Sequence, residues 1–263
     1  MCKINFDVQL LCPDDYSENN GFRSLLKSIS EMGFTGIELN CANPLRMDVT
    51  TLIEVFAEEG LGIINFASGY TAKNKHLSLT SDDETIRERS CEAVRMWRRH
   101  FNGTGIEIIL GFIKSDPRYD DKLGADDRLK KSFDEILSDA GGGDTKLVLE
   151  ATNHYESYVI NRVDEAAAFI HDYAAEGHSI LPDTYHMNIE EVDMYKPLEE
   201  YMQYIHKIHF SDNNRYFPGY GRIDFNEMYL KLRQLKYQGR VGVEGNTKEN
   251  LIEDLTHFPI LIK

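Results

Sequence analysis

Residues 3–10, KINFDVQL, alternate polar and apolar side chains with a period of two, the pattern of a strand with one face buried. Residues 20–32 change to a helical pattern that Gly33 closes. The exchange of strand and helix patterns then continues to the end of the chain. Further strands are predicted at 36–41, 61–68, 106–112, 146–151, 179–186, 205–212 and 240–245. Helices fall near 48–59, 121–139 and 161–175, after Asp224, and from the last strand to 257. Val163, Ala167, Ile170 and Ala174 share one helix face, as do Phe225, Met228, Leu232 and Leu235. A long polar loop is expected at 69–80, after which Ser81 and Glu84, at capping-box spacing, open a helix to 100. The glycines at 141–143 follow a helix and precede a strand, the wrong side for a phosphate loop, and predict a turn. Pro182 is out of place in a central strand.

Eight strand–helix units in 263 residues imply a parallel sheet with crossover helices. Eight units favour closure, so the expected fold is α/β, a (β/α)8 TIM barrel forming a single domain over residues 1–263.

Composition narrows the partners. The net charge is −15, from 29 basic and 44 acidic residues. That surface repels phosphate backbones, and no basic patch offsets it. Arg95, Arg98 and Arg99 follow Glu88 and Glu92 on one predicted helix and read as a solvated face. Cys2, Cys12, Cys41 and Cys91 are scattered without CxxC spacing, which suits a reducing compartment. The first residues lack the apolar run of a signal peptide, and no window reaches the 18 apolar residues a membrane span needs. A cytoplasmic protein, with neither nucleic-acid nor membrane partners, is expected.

A barrel of this kind gathers its functional residues at the carboxyl ends of its strands. Glu150 ends the fifth predicted strand, Asp183 lies near the end of the sixth, His209 is on the seventh and Glu244 ends the eighth. A lone acid at a strand end is usually a turn or cap residue, and a lone strand histidine is usually a satisfied core group. Four on consecutive strands at matching depth point to a shared site. Three carboxylates and an imidazole suit a hard or borderline divalent ion such as Mn²⁺ or Mg²⁺, which would relieve their mutual repulsion. Glu156, His186 and Arg215 follow these residues at short offsets, where loops over the mouth could hold substrate hydroxyls. Asp212, close behind His209, belongs to the same charged strand end.

The segments LVLEATNHYESYVIN, DTYHMNIEE and HFSDNNRYFPGYGRIDF, with Glu244 beyond them, resemble the motifs of the xylose-isomerase-like sugar isomerases and epimerases. Within that superfamily they are most similar to the D-tagatose 3-epimerase and D-psicose (allulose) 3-epimerase group. The likeness is best over 146–245; the first half shares mainly the strand–helix rhythm. It implies one divalent ion, most often Mn²⁺ with Mg²⁺ or Co²⁺ as alternatives, held by Glu150, Asp183, His209 and Glu244. It also implies substrate contacts from Glu156, His186 and Arg215, and a homo-oligomer, dimer or tetramer. Two features depart from the pattern: Pro182 precedes the metal aspartate where a large apolar residue is usual, and FIKSDPRYDDK lacks a glycine- and aromatic-rich character.

The reaction so implied inverts C3 of an unphosphorylated ketose through a metal-stabilised enediolate, Glu150 and Glu244 exchanging protons on opposite faces. A hydroxypyruvate or inosose isomerase would use the same groups. A phosphosugar substrate would draw on GNTK at 245–248, which has no basic cluster beside it. An endonuclease IV-like nuclease needs further histidines where only His76 and His100 are available. A non-catalytic sugar-binding barrel would be expected to lack one of the paired acids, and both are present.

Overall fold

The computed structural model describes residues 4–258. Eight strands, β1 (Asn5–Leu11), β2 (Gly36–Asn40), β3 (Gly62–Ala67), β4 (Glu107–Leu110), β5 (Leu147–Ala151), β6 (Ser179–Pro182), β7 (Lys207–Phe210) and β8 (Arg240–Val243), form one sheet. All paired neighbours are parallel, in the order β6-β5-β4-β3-β2-β1-β8-β7. Isolated bridges from Ile180 to Ile205 and from Asp183 to His209 join the two ends, so the sheet closes into the expected barrel. The seam is thin where Pro182 ends β6, because proline has no N–H to give to a ladder.

The principal crossover helices are α1 (Asn20–Glu31), α2 (Val49–Glu58), α3 (Gly69–Lys75), α4 (Glu84–His100), α5 (Ala125–Leu137) and α6 (Val163–Ile170). They continue with α7 (Thr184–Glu190), α8 (Lys196–Tyr201), α9 (Phe225–Gln234) and α10 (Leu251–Thr256). Among the described residues no helix is long and apolar enough to cross a membrane.

Several local expectations are corrected. The polar stretch after β3 begins with a helix, α3, because Thr71 and Ala72 are buried and the Thr71 hydroxyl donates to the Cys41 carbonyl at 2.7 Å. Asp83, not Ser81, caps α4, accepting from the Thr85 N–H at 2.9 Å; Glu84 turns instead to Arg87 and Lys131. Arg98 is not solvated: it is buried and donates to the carbonyls of Ile136 and Thr145. The helix expected at 161–175 stops at Ile170, so only Val163, Ala167 and Ile170 of its predicted stripe are buried. Asp224 does cap α9, accepting from the Glu227 N–H at 2.9 Å. The glycines at 141–143 do form a turn. Cys2 lies outside the described residues.

The alternation in β1 has a meaning particular to a barrel. Ile4, Phe6, Val8 and Leu10 pack in the outer core, while Asp7, though polar, is fully buried and Gln9 is half-buried. The second face of the strand points into the lumen, not to solvent. That lumen is divided. Ile109, Val148 and Leu181 form a small apolar cluster on the β4–β6 side. Asp7, Glu38, Asn65, Lys207 and His209 form a buried polar column on the β1–β3 and β7 side. The polar column carries the site.

Candidate active site

Glu150 lies within β5, Asp183 follows β6, His209 lies within β7 and Glu244 follows β8. All four side chains are buried, and one ligand-type atom from each falls within 4.8 Å of the others. His209 Nδ1 is 3.3 Å from Glu244, 3.7 Å from Glu150 and 3.8 Å from Asp183. Backbone geometry sets this arrangement. The bridge that closes the barrel pairs Asp183 with His209, and Gly242 stands beside His209 across β7 and β8. A Cβ on Gly242 would lie 2.8 Å from Lys207 Cε and 2.9 Å from His209 Cδ2, so only glycine leaves room for both.

The three residues expected to hold substrate also converge here. His186 is on α7, not on a strand or loop, because Asp183 caps that helix through the Tyr185 N–H at 2.7 Å. Its Nδ1 accepts from the Asn153 N–H at 3.1 Å, leaving an Nε2–H aimed at the cavity, 3.9 Å from Glu150. Arg215 Nη1 reaches Asp183 at 2.7 Å; its Nη2 sits 2.6 Å from Glu244 Oε1 but off the hydrogen-bond line. Glu156 accepts from the Asn153 side chain at 3.2 Å. Asp212 has a different task. Its carboxylate accepts from the N–H groups of Asn213, Gly219, Gly221 and Ile223 at 2.7–3.2 Å and builds the loop that presents Arg215. Arg215 itself has φ +63°, a left-handed conformation costing about 1–3 kcal/mol, which that loop holds in place.

Electrostatics separate the two glutamates. Burial raises both, but the His209 and His186 imidazoles overcome it at Glu150 and hold that carboxyl below its ordinary range. At Glu244 burial prevails over Arg215 and His209, Asp183 and Glu150 add repulsion, and the carboxyl is pushed up to about 8. Burial also lowers His186, which keeps its imidazole neutral. His209, against its burial, is held well above the ordinary value by Glu38 and Glu244.

Glu38 and Gln9 were not anticipated. Glu38 Oε2 accepts from His209 Nε2 at 2.8 Å and lies 3.0 Å from Lys207 Nζ; Gln9 Nε2 donates to Glu38 at 2.6 Å and to Glu244 at 2.7 Å. The available signal was an acid in the middle of GIELN, a strand with no other charge. Lys114 was also missed. It is fully buried behind the cavity wall, donates to the Gly111 carbonyl and the Thr152 hydroxyl, and is pushed down to about 8 by burial.

These residues fit a divalent cation. His209 Nδ1 is a buried nitrogen with no hydrogen-bond partner, directed at three carboxylates, while its other nitrogen is occupied by Glu38. An imidazole whose far N–H is fixed by a carboxylate is the usual arrangement of a metal-ligating histidine.

Comparison with known proteins gives the class. Residues 26–259 match the model of the xylose isomerase-like TIM barrel family, and the chain belongs to that family. It is 29% identical over 234 residues to a D-psicose 3-epimerase of Enterocloster bolteae, covering 85% of this chain and 76% of that one. It is 26% identical to a 3-dehydro-D-guloside 4-epimerase of Escherichia coli, covering 94% and 93%. Solved structures share the fold. A 3-keto-D-glucoside 4-epimerase from E. coli superposes with a TM-score of 0.78 at 24% identity, covering 97% of both chains. A D-psicose 3-epimerase from Clostridium cellulolyticum, solved with D-tagatose, gives 0.71 at 21%, covering 98% of this chain and 91% of that one. Within its family the chain is an isomerase of the epimerase kind.

Proposed function

We propose that the protein is a divalent-metal-dependent epimerase inverting C3 of an unphosphorylated ketose. The observation that carries this reading is the pair Glu150 and Glu244, which line one cavity from β5 and β8 with His209 between them and Asp183 completing the cluster. A divalent ion held by Glu150, Asp183, His209 and Glu244 supplies the Lewis acidity that makes a proton next to a ketone removable. One of the two glutamates takes the proton from one face of the carbon, and the other returns a proton to the opposite face. In the reverse direction the roles exchange. The His186 Nε2–H and the Arg215 guanidinium donate to the carbonyl oxygen as it gains charge, and Glu156 accepts from a sugar hydroxyl. The cavity holds about 200 Å³, below the ~300–1,000 Å³ of drug-sized pockets and suited to a single small sugar.

A second reading, epimerisation at C4 of a 3-keto sugar, draws support from the near-complete mutual coverage with the E. coli guloside 4-epimerase. The chemistry is the same, since C4 is also adjacent to the ketone. NMR in D₂O with Mn²⁺-loaded protein separates the readings. With fructose, tagatose or ribulose, deuterium and inversion at C3 support the first; exchange confined to C4 of a 3-keto glycoside supports the second. Deuterium at C1 with an aldose product overturns both in favour of an isomerase. Glu150→Gln and Glu244→Gln should each abolish turnover, and substantial activity in either defeats the two-base scheme.

A further inference from the structure

We propose that Glu38 and Gln9 are positioning residues, Glu38 setting the orientation of His209 and Gln9 that of Glu244. The inference rests on the reading of Glu150, Asp183, His209 and Glu244 as a metal site. Gln9 and Glu38 are direct partners across β1 and β2, which places the amide against the carboxylate. The Gln9 amide nitrogen has two hydrogens, and both are used: one goes to Glu38 Oε1 at 2.6 Å, the other to Glu244 Oε2 at 2.7 Å.

Glu38 Oε2 faces His209 Nε2 at 2.8 Å, so the imidazole carries a proton there and turns Nδ1 towards the three carboxylates. Glu38 cannot rotate away. Lys207, fully buried, donates to Asn65 Oδ1 (2.6 Å) and Asp7 Oδ2 (3.3 Å) and forms an ion pair with Glu38 Oε2 at 3.0 Å, and Arg240 holds Asp7 from below. Asp7, Asn65, Lys207 and Glu38 each have partners, so a histidine at the mouth is braced from the barrel floor. A ring orientation fixed in this way raises metal affinity without any direct contact between Glu38 and the ion.

The column could instead serve stability alone, and metal affinity distinguishes the two roles. The full-length protein is stripped with a chelator and titrated with Mn²⁺, the free ion being followed by electron paramagnetic resonance. Wild type should bind one Mn²⁺ per chain, and Glu38→Gln should bind it 10–100-fold more weakly with unchanged circular dichroism. In the Mg²⁺-loaded protein, a strongly downfield His209 Nε2–H proton signal should be present in wild type and absent in Glu38→Gln. If that variant does not fold, Glu38→Gln/Lys207→Met removes both members of the buried pair and carries the same expectation. Gln9→Met should lower turnover more than Mn²⁺ affinity, because it releases one oxygen of Glu244 and leaves His209 braced by Glu38. Unchanged affinity in the Glu38 variants overturns the inference. Wild-type protein that binds no Mn²⁺ overturns the underlying reading of the site instead.

Discussion

Gly111 follows β4 and lies directly against Glu150. A Cβ built on it would fall inside the van der Waals envelope of Glu150 Oε2 and 3.2 Å from Cδ. Glu150 is buried among Asp183, His186 and His209, so Gly111→Ala must displace the carboxylate by about 1 Å, and a misplacement of that size costs ~100-fold in rate. The equivalent loss of transition-state stabilisation is about 2.7 kcal/mol. The fold should tolerate the change, because the clash is with a side-chain terminus and the backbone hydrogen bonds remain. The assay is deuterium exchange at the carbon next to the ketone, measured as kcat/KM beside a thermal melt. The reasoning is refuted if kcat/KM stays within threefold of wild type, or if activity falls only in proportion to unfolded protein.

Three further outcomes are expected. His178 is buried with Nδ1 accepting from the Leu147 N–H at 3.0 Å, and burial, with Arg98 and Lys146 nearby, pushes it down to about 4 from 6.5. The unfolded chain therefore binds a proton that the folded one refuses. Stability should be full above pH 6.5 and fall by up to about 3 kcal/mol as pH drops towards 4, with His178→Gln flattening that slope in urea titrations at pH 7 and 4.5. Asp212→Asn opposes an amide to a cluster of N–H donors, so it should loosen residues 213–223, cost about 1–3 kcal/mol and raise KM through Arg215; an unchanged KM would count against the loop's role. Arg87, buried between Glu84, Ser132 and Glu135, ties α4 to α5, and Arg87→Met should lower stability by about 1–2 kcal/mol, since the carboxylates it leaves are part-exposed, without changing kcat in the protein that remains folded.

The sequence by itself determined the barrel and the identity of the gathered acids. Strand and helix periods are local properties of a few consecutive residues, and eight repeats of the pair leave little choice but closure. Glu150, Asp183, His209 and Glu244 were legible because each stands at one strand's carboxyl end, a position that chain order fixes. The inside of the barrel was not legible. In an open sheet the polar faces of β1 and β2 would meet water; here they face the closed lumen, which turns Asp7, Gln9 and Glu38 from solvent-facing residues into the frame beneath His209. Asp212 shows the same limit in reverse: it stands beside the site in sequence, yet its carboxylate is consumed by N–H groups as far away as Ile223. Even the seam depends on distance in the chain, since Asp183 meets His209 only where the last pair of strands closes. Periodicity records which side of an element is apolar, and only the closed sheet decides what the other side faces.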